Sequence, residues 1–495
     1  MKHEKLSQAL NEVDDRYVAK AAGKKRRSYA PWFGAVAAIL AVAILVGLLW
    51  RPDQSPVASL DDPSPESQEQ TLVVDPTDLL PPVAVNTKKY QLAAPVYPVM
   101  VARPGDDYDY EAYMQWRESV KAIHDQPKGY ADTLDGYFKT VLPALLADEG
   151  NTNPVCSPVN IYMALAMLAE TTGGESRQQL LDFLGVQSIE ALRKQAGQVW
   201  NAHYWDDGVT TSILGNSLWL DEGFAFDQEC ADALARYYYA ASFSGKLGTD
   251  EMNAALQDWL NTQTGGLLEE QAKNVELSPE TAFALASTIY YKVAWSYEFN
   301  EARNTEETFY GRDQEVTATF MNRTDDGGVY YRGEGFGAVS LRLRDGSWMW
   351  FVLPDEGVEA QSIVAEAWNM ISTDSNQYAK QVKLNLSVPK FKTEAAMELK
   401  QTLYDLGLDK VMGDWADFGG VSDVDDLAVS SVSHAATVEI DESGVAAAAF
   451  TVITVAYGGM PGELEELDFV LDRPFVYFIE SSDGLPLFAG VVNQI

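Results

Sequence analysis

Basic residues, cysteine and histidine are scarce in this chain, and each scarcity removes a class of protein. Its 495 residues hold 36 Lys and Arg against 73 Asp and Glu, a formal net charge of −37. That excess of acid would repel nucleic acid or a heparin-like polyanion, so neither is expected as a partner. The two cysteines, Cys156 and Cys230, match no metal or redox spacing. Both read as core residues, with a disulfide between them left open. The four histidines are His3, His124, His203 and His434, and the chain has neither a G-x-S-x-G nor an H-E-x-x-H sequence. A serine hydrolase or zinc protease would lack its constellation. No enzymatic activity, cofactor or metal is expected.

The charge that is present is unevenly placed. Residues 1–50 hold eight Lys/Arg and four Asp/Glu, a net of +4, which leaves −41 for the remainder. Residues 28–50, from Ser28 to Trp50, are 23 positions without a charge. As a helix they span roughly 35 Å, enough for a hydrocarbon core of about 30 Å. Trp32 and Trp50 stand near the two ends, Lys24-Lys25-Arg26-Arg27 directly before, and Arg51 alone soon after. The positive-inside rule predicts residues 1–27 in the cytoplasm and all that follows 50 outside. The run is long for a signal peptide and lacks a small-x-small cleavage pattern, so it reads as an uncleaved signal anchor. Residues 51–94, rich in Pro, Asp and Ser, read as a disordered tether. Residues 95–127 are an ambiguous extension in which Tyr108, Tyr110, Tyr113 and Trp116 could pack a short helix. A folded domain is expected over 128–495, beginning with a helix from Tyr130 to Leu146.

Within that domain one stretch has conflicting local preferences. Glu439, Asp441, Glu442 and Gly444 are followed by Val445, then Ala446, Ala447, Ala448 and Ala449, then Phe450 and Thr451-Val452-Ile453-Thr454-Val455. Four alanines favour helix and the β-branched run favours strand. It ends in the loop-like Tyr457-Gly458-Gly459-Met460-Pro461-Gly462. One reading is a buried strand followed by a turn. The other is a segment with two states, an exposed loop that becomes a strand by sliding between two others.

The surroundings resemble the serpin family. The motifs that carry the likeness are NPVCSPVNI at 153–161, GGESRQQL at 173–180, DWLNTQTGGLL at 258–268, LASTIYYKVAW at 285–295, VPKFK at 388–392, VSHAATVEIDESG at 432–444, DRPFVYFI at 472–479 and PLFAGVVN at 486–493. Any one is weak; together, in the family's order, they predict an α+β serpin fold of three β-sheets with eight or nine helices and an exposed reactive centre loop. The type is similar to a bacterial, membrane-anchored serpin.

The resemblance implies an extracellular inhibitor that a protease cleaves as a suicide substrate, the two ending in a covalent complex. The hinge would be Glu442, Gly444, Val445 and Ala446 to Ala449. Inward positions on insertion would be Val445, Ala447, Ala449, Thr451 and Ile453, with no charge and no proline among them. Counting from Gly444 puts the reactive bond at Tyr457, Gly458 and Gly459; counting back from Pro474 reaches Glu463. Insertion depends on the hinge side, so the first count is preferred, and Tyr457 or Gly458 in the primary pocket suits an apolar-preferring chymotrypsin-, subtilisin- or elastase-like target, or a papain-like cysteine protease. A trypsin-like target is not expected, since no Lys or Arg occurs from 411 to 472. Trp295 would mark the breach, where the hinge enters the sheet. Ser157, Asn160, Ser287 and His434 would form one hydrogen-bonded cluster where the sheet parts, with Ser287 replacing the family's usual Asn and Asn160 its usual Ser. A non-inhibitory, chaperone-like or binding surface protein is the competing expectation.

Overall fold

The computed structural model describes residues 87–105, 109–147, 152–424, 426–445 and 464–495. The chain divides into residues 1–73 and 74–495, and everything described belongs to the second unit. The expected cytoplasmic tail, membrane span, most of the tether and the loop residues Ala446, Ala447, Ala448, Ala449, Tyr457, Gly458 and Gly459 lie outside the described residues. Among those described, no helix is long and apolar enough to cross a membrane.

The strands are, in chain order, β1 (Gln91–Ala93), β2 (Val155–Cys156), β3 (Trp205–Asp206), β4 (Thr211–Asp221), β5 (Ala240–Gly245), β6 (Phe283–Ala294), β7 (Thr305–Tyr310), β8 (Glu315–Gly333) and β9 (Phe336–Arg342). After them come β10 (Trp348–Pro354), β11 (Ala379–Pro389), β12 (Phe391–Glu398), β13 (Ser433–Ile440), β14 (Gly444–Val445), β15 (Glu466–Val470), β16 (Phe475–Glu480) and β17 (Pro486–Val492). The central sheet has the order β1-β5-β4-β6-β14-β13-β12, with β3 also on β4. Nine of the eleven residues of β4 are buried, as a strand covered on both faces should be.

The other strands run β15-β11-β8-β9-β10-β16-β17-β2, with β7 on β8. Two hydrogen-bonded sheets thus replace the expected three among the described residues. The cause is β8, whose 19 residues pair with β7, β11 and β9 in turn and join the strands of two sheets into one ladder. Eleven α-helices are described rather than eight or nine. The surplus comes from the helix Tyr110–His124 and from short turns such as Glu269–Ala272 and Asp409–Met412.

The first domain helix runs Leu134–Leu145, four residues later than expected, with Leu134, Tyr137, Phe138, Val141, Leu142 and Leu145 buried. Pro143 sits in its last turn, so the helix ends within two residues of it. The helix Pro158–Thr171 is buried on nearly every side and forms the middle of the core. Ser157 caps it, its Oγ accepting from Asn160 N at 3.3 Å, and Pro158 takes the first turn. A second core cluster lies between the central sheet and the helix Asp250–Gln263, built on Trp219, Phe243, Met252 and Trp259.

The tether ends sooner than its composition suggests. Gln91 and Ala93 pair with β5, and Tyr90 packs on the second core cluster. Tertiary pairing at a sheet edge overrides local composition there. The extension is part of the body as well. Tyr97 packs on Trp200 with ring centroids 5.0 Å apart, and Trp116 Nε1 donates to Asp207 Oδ2 at 3.0 Å.

Candidate functional site

β13 ends at Ile440, and the chain turns back through Asp441, Glu442 and Ser443 into β14. Asp441 Oδ1 makes the turn by accepting from Ser443 N at 2.7 Å and Gly444 N at 3.1 Å. Gly444 is required by space: a Cβ there would lie 2.3 Å from Val293 O. Trp295, fully buried, fastens the turn from beside it. Its Nε1 donates to Asp441 O at 2.8 Å and its main-chain N to Ser443 O at 2.9 Å. Trp295 is thereby fixed against the turn from β13 into β14. Glu442 is held by Lys390 Nζ at 2.7 Å and by Asn304 Nδ2. Burial alone would raise the Glu442 carboxyl, but the Lys390 and Asn304 hydrogen bonds hold it below the usual carboxylate range.

Val445 then pairs with Val293 of β6 on one side and Ile440 of β13 on the other. All three side chains are buried, at 2%, 0% and 2% exposure, and form one apolar row across three strands. Among the described residues β6 and β13 share no ladder; β14 alone stands between them. A small cavity adjoins Val445, lined by Ile289 and Tyr291 of β6, by Ala436, Thr437 and Val438 of β13, and by Leu267, Leu268 and Phe488. Most of its lining side chains are apolar, with Thr437 and Tyr291 the exceptions.

Farther along β6 lies a largely buried polar group that joins it to β4 and to the helix Pro158–Thr171. Ser287 on β6 contacts Asn160 Oδ1 through its hydroxyl, and Asn160 Nδ2 donates to Ser287 O at 3.2 Å. The Ser287 hydroxyl also lies 2.7 Å from Asn216 Oδ1 on β4, and Asn216 Nδ2 donates to Tyr238 O at 2.7 Å. One hydroxyl hydrogen thus faces two carbonyl acceptors. His434 joins through Ser157 rather than directly: Ser157 N donates to His434 Nε2 at 3.1 Å. Burial pushes the imidazole down to about 4, so it is neutral and its Nε2 is an acceptor. Ala435, beside it, opposes Ala396 of β12.

Sequence reasoning missed Asn216, Lys390 and Asn304. Asn216 carried a signal, a single amide within the apolar run ILGNSLWL. The Lys390–Glu442 pair spans 52 residues of sequence and carried none. Cys156 and Cys230 are both buried and free.

A family model described as serpin (serine protease inhibitor) matches residues 138–495. Serpin-ZX of Arabidopsis thaliana is 27% identical over 367 residues, 69% of this chain and 92% of that protein. The plasma serine protease inhibitor of Homo sapiens is 29% identical over 347 residues, 68% of this chain and 83% of that one. The native structure of the thermophilic serpin tengpin superposes with a TM-score of 0.65 at 23% identity, covering 80% of this chain and 98% of its own. The chain belongs to the serpin family. It is accordingly not an enzyme, but a member of a family whose inhibitors form covalent complexes with target proteases and which also includes non-inhibitory members.

Proposed function

We propose that the protein is a membrane-tethered inhibitor of an extracellular serine-type endopeptidase, acting as a suicide substrate by loop insertion. The observation that carries the insertion reading is the position of Val445, paired with both β6 and β13 next to a mainly apolar cavity; the tethered reading rests on the uncharged run 28–50. Side chains alternate along a strand, so Ala447 follows Val445 inward and Ala449 follows Ala447. Small apolar residues suit such a path, and none of the inward set carries a charge to bury. About fifteen inserted residues make a strand of roughly 50 Å at about 3.3 Å each, enough to carry an acylated protease from one pole to the other. The new ladder rivals a domain's whole stability of about 5–15 kcal/mol, so the intact form must be held kinetically.

Cleavage falls at Tyr457-Gly458-Gly459, which suits an apolar-preferring target of the chymotrypsin, subtilisin or elastase kind. Residues 28–50 anchor the chain in a bacterial cell membrane, with the serpin domain outside. The functional test is a gel screen of the purified protein against serine proteases and a papain-like enzyme. A denaturant-resistant covalent band supports the trap and names the target class; cleavage without a band with every enzyme favours the non-inhibitory reading. The topology has its own test. Protease added to intact cells should release a fragment beginning in residues 51–86, and carbonate washing should leave the full chain in the membrane.

A further inference from the structure

From Leu92 to Ala102 the sequence is LAAPVYPVMVA, eleven residues with no charge and only the Tyr97 hydroxyl as a polar side-chain group. The fold divides it into two faces. Tyr97 and Met100 turn inward, Tyr97 onto Trp200 and Met100 into the main core. Leu92, Val96, Val99 and Val101 face outward at 48%, 86%, 89% and 40% exposure. A single exposed aliphatic needs no explanation, but four exposed within ten residues on a chain of net charge −37 are a local concentration of apolar surface.

The place of the patch in the chain indicates what covers it. Thr87 is the first described residue, so the strip lies at the point where the tether joins the body. Residues 51–86, whose composition reads as a tether, number 36; a flexible coil of that length has a mean end-to-end distance of about 30–36 Å. A surface held that close to the bilayer meets it at a high effective concentration. Lys88 and Lys89 stand four and three residues before Leu92, Lys89 with its ammonium 3.6 Å from Glu251, and lysine stems can reach from an apolar surface to lipid headgroups.

We propose that the strip formed by Leu92, Val96, Val99 and Val101 rests on the outer face of the lipid bilayer and sets the orientation of the domain on its tether. The inference depends on the anchored reading above. To test it, the full chain with Ala94→Cys, or with Trp415→Cys as a remote exposed control, is labelled with an environment-sensitive fluorophore. Both native cysteines are buried, which confines labelling to the introduced site. The chain is reconstituted into phosphatidylcholine–phosphatidylglycerol vesicles containing spin-labelled lipid. Quenching and a blue shift are expected at 94 and not at 415, and Val96→Asp with Val99→Asp should abolish both without unfolding, since those side chains are exposed. Equal quenching at both sites, or none at 94 in a chain that survives carbonate washing, overturns the inference. Protection of 94 from iodide without lipid quenching also overturns it and assigns the strip to a second copy. Loss of the whole chain on carbonate washing defeats the anchored reading itself, a different result.

Discussion

Lys390 holds its ammonium 2.7 Å from the carboxylate of Glu442, the residue two before Gly444. The pair ties the outgoing turn of the hinge to the strand connection before β12. Both side chains are partly exposed, so its value is modest. Glu442→Gln should lower stability at pH 7 by about 1 kcal/mol. The sign with pH follows from the lowered Glu442 carboxyl. Its contribution is complete above the unfolded value of about 4.3 and disappears as pH falls through the lower folded value. Denaturation midpoints of parent and variant should therefore differ at pH 7 and converge in strong acid.

His434 gives a second pH signature. Its imidazole is held down at about 4 by burial, while the unfolded chain titrates near 6.5. Between those values the unfolded state binds more protons, so stability falls as pH falls, by up to roughly 3 kcal/mol in all. Glu480, raised by burial to about 7, has the opposite slope over much of the same window. His203, raised overall because Asp483 outweighs its burial, loses its contribution only as pH rises through its folded value. Parent and His434→Gln share both of those groups, so their difference isolates His434. That difference should shrink steadily from pH 7 to pH 5 in urea titrations.

Ser287 and Asn160 should behave as a unit. Ser287→Asn alone, or Asn160→Ser alone, leaves a buried amide or carbonyl without its partner and should cost about 1–3 kcal/mol. The double exchange restores the arrangement usual in the family. A coupling of about 0.5–3 kcal/mol is expected from the four urea midpoints. Simple additivity would mean that the two residues were exchanged independently.

The serpin fold was legible because it rests on local signals. Ser157-Pro158 is a helix start on any chain, and the apolar spacing of 134–145 matches the buried face residue for residue. β8 is harder to read, because Asp325-Asp326-Gly327-Gly328 looks like a turn at its middle. The strand instead absorbs Gly327, at φ +144°, as a bulge opposite the step from Val382 to Lys383, and continues. Residues 88–93 look like the tether that precedes them, and only the open edge of β5 recruits them. Lys390 and Glu442 meet through the return of two strands, which pairwise spacing cannot foretell.

Val445 is the position at which the trap can be disabled. Its side chain is 2% exposed between Val293 and Ile440. Val445→Arg would bury an unpaired charge at a cost of several kcal/mol, roughly what a buried ion loses with its partner. The variant should still be cut in its loop by a protease that the parent traps, but the covalent band should give way to free cleaved protein on the gel. Ala447→Arg should do the same.

The account turns on whether the loop becomes a strand. The loop should be nicked within residues 457–459 by an apolar-preferring protease, and the cleaved and intact proteins melted side by side. Loop insertion predicts that cleavage raises Tm sharply, because the released strand would extend the pairing of β14 with β6 and β13. A cleaved protein that melts at or below the temperature of the intact one would contradict insertion and leave the serpin body as a binding surface.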